Sequence, residues 1–414
     1  MTDRGGAFDI VCLSANHWSG LPTSKQHLMS VLAATHRVLY IEPPIDAFSV
    51  IGRRRRWPKL RGLRAVGENL WVLSPVSGSV RSAPDRRLAY YRRLAPRVQR
   101  AAGTLGFDRP VVWSFSPEHE GCASLLTASV RVYQAADEPA AMSPDPDRTS
   151  EMERAHIERS DLVFVASESL LEARKHLGDV RRMPNAADRR HFSRVLTGNP
   201  DASLETFVAA LERPRSRPEA LPSAGGPLVL FGGAAYSWFD VELFVETAEL
   251  RPDWNIALVG PLGREASQAR LPANVTAVGR REYDEFPLFV AAADVCIMPW
   301  RLDRFTHNAD PIVLYEYLLC GKPVVSTPFP AALEHGNMVR TSSTAGGFAA
   351  EITRALELDR SDEERLARVE FGFSCTWEKR AREAERLIAD ALASRAGAAD
   401  PARSSTASGE EGSP

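Results

Sequence analysis

The sequence predicts an α/β protein made of two doubly wound, Rossmann-like domains that face each other across a cleft. Short apolar runs alternate with helix-length segments through most of the 414 residues, as in parallel-sheet proteins. A stretch rich in Pro, Ser, Gly and Glu, residues 197–226, separates two such series. A nearly all-apolar helix at residues 312–319 leads directly into a Val-rich strand, as expected for a helix buried against a sheet.

The first series supplies strands and helices in alternation. Apolar runs predict strands at residues 9–14, 37–42, 70–74, 111–115, 130–135 and 162–167, and helices at 25–35, 86–105 and 150–159. Ligands of such sheets bind beyond the carboxyl ends of the strands, so the loop around Gly20 is a predicted ligand loop. It lacks the GxGxxG fingerprint, and no nicotinamide or other cofactor is expected.

The second series begins after the connection. It predicts strands at residues 228–233, 255–261, 275–279, 295–299 and 324–325, and helices at 241–249, 286–293, 312–319, 348–358 and 361–368. We therefore divide the chain into an N-terminal Rossmann-like domain (1–196), a connection (197–226) with a short helix near residues 203–211, and a second Rossmann-like domain (227–374). A final helix (375–395) and a polar tail (396–414), predicted to be disordered, complete the chain.

Charge and cysteine usage restrict the functional class. The formal net charge of −2 argues against a dedicated nucleic-acid-binding protein. Five scattered cysteines without metal-ligand spacing predict reduced thiols in the core, no metal site and a cytoplasmic protein. No signal-peptide pattern opens the chain, and no apolar run reaches the ~18 residues of a membrane span.

One region is strongly basic. Residues 41–110 contain fifteen basic and five acidic side chains. Arg53 to Arg56, beside Trp57, predict peripheral contact with the anionic inner face of a membrane. The alternative is a solvated Arg-rich surface loop.

The apolar helix contains one acidic residue, Glu316. Asp310 and Pro311 suit a helix start, and Gly321 followed by Pro323 suits its end. A buried carboxylate requires hydrogen-bond donors, which are either internal partners or the hydroxyls of a ligand. The helix N-terminus in front of it would favour an anion.

The string Leu-Tyr-Glu-Tyr-Leu-Leu-Cys-Gly-Lys-Pro-Val-Val-Ser-Thr, residues 314–327, resembles the nucleotide-sugar signature of family 4 glycosyltransferases. This resemblance implies the GT-B fold, with Glu316 holding the donor ribose and the helix N-terminus facing the diphosphate. The family's earlier sugar-binding Glu is Asn308 here, and Val313 stands where sub-branches have Lys. Pro184, Asn185, Asp188 and Phe192 match a second family pattern at the end of the first domain.

The resemblance implies a retaining, metal-independent glycosyltransferase that uses a nucleotide-diphosphate sugar. The acceptor would be a small molecule or a lipid-linked hydroxyl. Two alternatives remain at this point: a GT-B-fold nucleotide-sugar epimerase, which uses the same donor cleft without transfer, and a non-catalytic GT-B subunit, suggested by Asn308 and Val313.

Donor-side candidates must neutralise a diphosphate without a metal ion. Family members supply Arg and Lys after the first strand of the second domain, but this chain has Gly232 and Gly233 there, whose backbone N–H groups are candidate phosphate donors. The missing positive charge is assigned to Arg301, Arg304 or Arg280, with Arg281 similar to Arg280. Each of these arginines has a solvated surface charge as its alternative.

Acceptor-side candidates follow the first-domain strands. His119 is the first choice for acceptor activation, since the family often places a His near this position, and Asp137 is the second. Asp137 and its neighbour Glu138 either orient the acceptor or cap the next helix. His17, Gly20 and Lys25 are candidates for an acceptor or phosphate loop. No Ser-His-Asp triad, His-Glu-x-x-His motif or P-loop is present.

Overall fold

The computed structural model describes residues 7–46, 62–77, 83–213, 217–222, 225–358 and 361–398. These residues form two α/β domains, one built around a mostly parallel sheet and the other around a parallel sheet, which confirms the predicted fold class. The cluster Arg53 to Arg56 and residues 399–414 lie outside the described residues, so the predictions made for them stay predictions.

The first sheet has the strand order β10-β9-β8-β7-β1-β2-β5-β4, and all neighbours are parallel except β4 and β5. Its strands are β1 (Asp9–Leu13), β2 (Arg37–Ile41), β4 (Leu63–Gly67), β5 (Leu70–Leu73), β7 (Val111–Ser114), β8 (Arg131–Ala135), β9 (Leu162–Val165) and β10 (Val180–Arg182), while β3 (Ile45–Asp46) pairs separately with β6 (Val76–Ser77). Strands β7 and β9 are buried along their whole length, as expected when helices cover both faces.

The helices of the first domain are α1 (Ser24–Leu32), α2 (Pro84–Thr104), α3 (Glu120–Ala123), α4 (Pro146–Glu158), α5 (Glu168–Arg174) and α6 (Arg189–Thr197). Side-chain caps fix several of their starts. Asp145 accepts from the N–H of Arg148 at the start of α4, and Ser167 accepts from the N–H of Leu170 at the start of α5.

The second sheet has the order β13-β12-β11-β14-β15-β16, and all described neighbours are parallel. Its strands are β11 (Leu228–Gly232), β12 (Asn255–Val259), β13 (Val275–Gly279), β14 (Val295–Met298), β15 (Val324–Ser326) and β16 (Val339–Thr341). The helices that follow the first domain are α7 (Leu204–Glu212), α8 (Val241–Leu250), α9 (Arg264–Gln268), α10 (Phe286–Ala292), α11 (Arg304–Asn308), α12 (Ile312–Leu319), α13 (Pro330–Leu333), α14 (Ala345–Leu358), α15 (Asp362–Ser374) and α16 (Trp377–Ala398).

The connection and the final helix tie the two domains together. Within residues 197–226, α7 buries Phe207 in the core of the second domain. Helix α16 packs Trp377, Ala384 and Ile388 into the core of the first domain, against Leu28 of α1. It ends at Ala398, three residues beyond the predicted 395, because the helical pattern continues past Ser394 into Ala-rich sequence.

Two predictions made from the amino-acid composition concern the cysteines and membrane-spanning segments. All five cysteines are free and buried, which confirms the predicted core thiols. Among the described residues, no helix has the length and apolar character needed to cross a membrane.

Candidate active site

The cleft between the domains contains a cavity of about 680 Å³. Its wall is formed by segments that follow β1, β8, β11, β12, β13 and β14, so both sheets present their carboxyl ends to it. The predicted site residues in the wall are His17, Gly20, Lys25, Asp137, Gly232, Gly233, Arg280, Asp310 and Glu316. Four other predicted residues, His119, Asn308, Arg301 and Arg304, are not in the wall.

Glycine residues let the ends of β11 and β12 pack closely. Gly233 has φ +132° and Gly260 has φ +144°, and a Cβ on Gly260 would lie 1.9 Å from the carbonyl oxygen of Gly233. The N–H of Gly233 donates to the Val259 carbonyl (2.9 Å), and the N–H of Gly232 donates to the Tyr317 hydroxyl (2.7 Å). Both N–H groups are thus bonded within the domain, which does not favour the prediction that they bind a phosphate.

Helix α12 carries Glu316 to the cavity wall. The residue is 3% exposed, and its Oε1 accepts a hydrogen bond from the Tyr283 hydroxyl at 3.1 Å. Burial raises the pKa of the Glu316 carboxyl from 4.5 to about 8, although the Tyr283 bond acts in the opposite direction. Among the described residues, this buried carboxyl has one hydrogen-bond donor, the Tyr283 hydroxyl, and it lines the cavity.

Sequence reasoning missed Tyr283. Its ring stacks on His191 of the first domain, with centroids 4.1 Å apart, and its carbonyl oxygen lies 3.0 Å from Nε2 of that histidine. Tyr283 therefore connects the donor-side carboxyl Glu316 to the other domain. Tyr283 and Glu316 are 33 positions apart in the chain, and the sequence between them contains no spacing pattern that would have paired them.

The start of α12 differs from the prediction. Pro311 is extended (φ −76°, ψ 125°), and the helix begins at Ile312. Asp310 does not cap it, because its carboxylate accepts from the backbone N–H of Asn185 (2.6 Å) and from the Tyr315 hydroxyl (2.9 Å). Burial nevertheless raises the pKa of Asp310 to about 6. The side chain that we expected to cap α12 instead joins the two domains beside the cavity.

The first domain contributes the opposite wall. His17 is about half exposed, with Nδ1 3.8 Å from Glu42, and the N–H of Gly20 closes a turn to its carbonyl. Asp137 is half-buried and is the one carboxylate that the described part of this domain adds to the wall. Its neighbour Glu138 instead pairs with Arg174 at 3.1 Å.

His119 lies outside the cavity wall, so the geometry does not favour its prediction as the acceptor-activating residue, which stays a prediction. The 3-10 turn Pro117–His119 directs the ring back into the domain, where it is 0% exposed and packs edge-on against Tyr91. Its Nδ1 accepts from the Phe115 N–H at 3.2 Å. Burial, and secondarily the charge of Arg87, lowers the pKa of His119 to about 3. His119 does follow a strand, β7, as predicted, but the 3-10 turn after that strand decides where its side chain points.

Three donor-side candidates are also engaged elsewhere. Arg301 forms an ion pair with Glu265 (2.6 Å), and Arg304 reaches across the domain boundary to Glu138 (3.5 Å). The Asn308 amide donates to the Arg304 carbonyl at 2.8 Å. The short helix α11, absent from the prediction, turns Arg304 and Asn308 away from the cavity. Arg301 and Arg304 are therefore paired with carboxylates outside the cavity wall, and their prediction as phosphate ligands stays a prediction.

An aromatic group occupies the region where basic residues were expected. Tyr236, Trp238 and Phe305 line the cavity, with the rings of Trp238 and Phe305 stacked at 5.4 Å. Arg280 and Arg281 line it as predicted. Within the described residues, no group of three or more His, Cys, Asp or Glu is placed to hold a metal ion.

Comparison with known sequences identifies the second domain. Residues 226–358 match the family described as "Glycosyl transferases group 1". A curated relative, named "Putative teichuronic acid biosynthesis glycosyltransferase TuaH" from Bacillus subtilis (strain 168), is 26% identical over 250 residues. The match covers 58% of this chain and 62% of the relative. Both the family and the relative are described as glycosyltransferases, which agrees with the predicted enzyme class.

Solved structures extend the similarity to the whole fold. Sucrose-phosphate synthase from Thermosynechococcus elongatus superposes with a TM-score of 0.63 at 16% identity, covering 95% of this chain and 100% of that one. The catalytic domain of starch synthase IV from Arabidopsis thaliana gives 0.62 at 13% identity, covering 94% and 100%. Both have two facing Rossmann-like domains. The chain is thus a GT-B-fold protein that resembles family 4, the group 1 glycosyltransferases.

Proposed function

We propose that this protein is a retaining, metal-independent glycosyltransferase that moves a sugar from a nucleotide-diphosphate donor to an acceptor hydroxyl. One observation carries the proposal: Glu316 is buried at the cavity wall, in the domain that matches group 1 glycosyltransferases, and the described residues offer its carboxyl a single hydrogen-bond donor. A carboxylate accepts two or more hydrogen bonds, and the paired hydroxyls of a ribose supply them in a fixed geometry.

The donor is proposed to bind the second domain. The first residues of α12, Ile312 and Val313, line the cavity, so the positive end of the helix dipole faces a bound diphosphate. Two structural neighbours were solved with such ligands, starch synthase IV with ADP and an E. coli protein with UDP-2-fluoro glucose. These ligands support a nucleotide-sugar donor for the same cavity. Retention rests on the family resemblance.

The acceptor is proposed to bind the first domain. Asp137 and His17 are in the opposite wall, and either can orient or deprotonate a hydroxyl presented to the donor sugar. Contacts such as Asp310 with Asn185 hold the two domains together at this cavity. Enclosure excludes water, which would otherwise compete as an acceptor. The acceptor is a small molecule or a lipid-linked hydroxyl, and we place the reaction in the cytoplasm or at the inner membrane face.

The test is a nucleotide-sugar screen followed by a turnover assay. Thermal shift with a panel of nucleotide-diphosphate sugars should reveal one or a few donors that stabilise wild type. Release of nucleoside diphosphate should then require an acceptor, and NMR of the product should show the anomeric configuration of the donor. The Glu316→Gln variant, which keeps the side-chain volume, should bind that donor about tenfold more weakly.

The outcomes separate the alternatives. Donor consumption without an acceptor, giving an isomeric sugar, would indicate an epimerase. Donor binding without turnover, across a broad set of acceptors, would indicate a non-catalytic subunit. The absence of stabilisation by any nucleotide or nucleotide sugar would refute the proposed function. The group 1 match and the curated relative's name favour the transferase over both alternatives.

A further inference from the structure

A series of contacts runs from Glu316 in the cavity wall to helix α6 of the first domain. The Tyr283 hydroxyl donates to Oε1 of Glu316 (3.1 Å), and the Tyr283 ring and carbonyl oxygen both contact His191, which lies outside the cavity wall. We propose that Tyr283 and His191 are positioning residues, which orient the Glu316 carboxylate for the two hydroxyls of the donor ribose. Ribose recognition by the second domain then depends on a first-domain side chain that does not touch the donor. This inference rests on the proposed function, in which Glu316 binds the ribose.

The orientation of the Glu316 carboxyl depends on one hydrogen bond. The terminal torsion of a Glu side chain has broad, shallow preferences, so packing alone leaves the rotation of the two oxygens poorly determined. The Tyr283 hydroxyl fixes this rotation through Oε1 and leaves the remaining lone pairs of the carboxylate to a ligand. The same bond opposes the effect of burial, which raises the pKa of Glu316. A ribose that meets the carboxyl without this bond finds it less well oriented and less readily ionised.

His191 holds Tyr283 through both its ring face and its ring nitrogen. The two rings stack with centroids 4.1 Å apart and planes 12° apart. A carbonyl oxygen only accepts, so Nε2 of His191 donates to the Tyr283 carbonyl at 3.0 Å, while Nδ1 accepts from the Arg194 guanidinium at 3.1 Å. These two partners fix one neutral tautomer, and burial, which lowers the pKa of His191, favours the same neutral form. The imidazole therefore has a single orientation, against which the tyrosine ring lies.

The first domain anchors His191 through the start of α6. Asp188 accepts from the backbone N–H of His191 at 3.1 Å, and its other oxygen lies 3.3 Å from Nδ1 of His27 on α1. The His27 ring in turn stacks on Trp377 at the start of α16, with centroids 5.4 Å apart. Helices α6, α1 and α16 thus define where the imidazole stands. A shift of the second domain relative to these helices would move the Tyr283 hydroxyl.

The alternative is a contact that only packs the two domains together. Other pairs already join the domains, among them Asp310 with Asn185 and Arg182 with Glu334. Tyr283 differs from these pairs because it lines the cavity and donates its hydroxyl to a carboxyl of its own domain. A packing contact would affect every ligand of the cavity alike, whereas a positioning contact affects only a ligand that carries the ribose hydroxyls.

The experiment compares a nucleoside diphosphate with its 2′-deoxy form by calorimetry. UDP, ADP and GDP are tested first, and the tightest of them is paired with its 2′-deoxy analogue. Both probes are measured on wild type, on Tyr283→Phe, which keeps the ring, on His191→Ala, which removes both contacts, and on His191→Phe, which keeps only the stack. Tyr90→Phe, which removes a hydroxyl without a hydrogen-bond partner among the described residues, and His176→Ala, at an exposed first-domain position, are the matched controls. Circular dichroism establishes that each variant is folded.

Wild type should bind the ribose form about tenfold or more tightly than the 2′-deoxy form, because the deoxy probe lacks a hydroxyl that donates to Glu316. Tyr283→Phe and His191→Ala should each lower this ratio to about threefold or less, by weakening only the ribose form. His191→Phe should recover part of the ratio, and both controls should keep it. In a Glu316→Gln background, Tyr283→Phe should have little further effect, since the tyrosine acts through the carboxyl.

Three results would count against the inference. A folded Tyr283→Phe or His191→Ala protein that keeps the wild-type ratio would overturn it and leave the proposed function intact. Equal weakening of both probes would also overturn it, because that is the effect of a contact that only packs the domains. If wild type binds neither probe, or does not distinguish them, the ribose role of Glu316 fails and the inference fails with it.

Discussion

Replacing Glu316 with Gln should weaken donor binding and at the same time stabilise the protein. The carboxyl has an ordinary pKa of 4.5, and burial raises it to about 8. Between these values the folded protein holds a proton that the unfolded chain releases, so wild-type stability falls as the pH rises from about 4.5 to about 8. Gln has nearly the same shape, can still accept from the Tyr283 hydroxyl, and does not titrate.

The expected gain in stability follows from the ordinary and the raised pKa of Glu316. One pKa unit corresponds to about 1.4 kcal/mol, so the interval from 4.5 to pH 7 corresponds to about 3 kcal/mol. Glu316→Gln should therefore unfold at a higher temperature than wild type near pH 7, and the difference should disappear towards pH 4.5. Differential scanning calorimetry of both proteins over this pH range measures the difference in unfolding temperature. Because two domains unfold, midpoints of the second-domain transition are compared.

Donor affinity should show the opposite trend. Ribose hydroxyls donate to the ionised carboxylate, so donor affinity of wild type should rise as the pH approaches about 8, while the Gln variant responds only to titration of the ligand. Equal stability of the two proteins at pH 7 would refute the argument from burial. Identical pH profiles for donor binding would refute the assignment of Glu316 to the ribose.

The remaining predictions concern the acceptor side and the membrane. Asp137→Asn should depress transfer by about tenfold or more while nucleoside diphosphate affinity, measured by calorimetry, is unchanged; unaltered turnover would exclude Asp137. His119→Gln should keep turnover within about twofold once corrected for folded protein, because the ring is buried away from the cavity; a large loss of kcat in a folded variant would restore the original assignment. Replacing Arg53 to Arg56 by Ser should abolish salt-sensitive binding to anionic vesicles, in a co-sedimentation assay, at about 1 kcal/mol per arginine; binding that persists in the variant would contradict membrane contact through these residues.

Side-chain direction accounts for most of the errors in the candidate site. His119 and Asp137 both follow first-domain strands at the carboxyl edge, and spacing gave no means to rank them. The 3-10 turn after β7 rotates His119 inward, whereas Asp137 follows β8 directly and lines the cavity. The position of a loop residue along the chain tells at which edge of the sheet it lies. The local turn geometry then decides what its side chain contacts.

The sequence alone determined the alternation of strands and helices, the two-domain organisation and the buried setting of Glu316, because hydrophobic periodicity and helix punctuation are local properties of the chain. Only the tertiary structure decided which polar groups remain available to a ligand. Arg301 and the N–H of Gly233 are already bonded to partners in their own domain, Asp310 to Asn185 in the other, while Lys25 is left without an anion among the described residues. These hydrogen-bond partners are distant in sequence, so they cannot be read from local patterns. A buried polar group nevertheless requires such a partner, because leaving it unpaired away from water costs free energy.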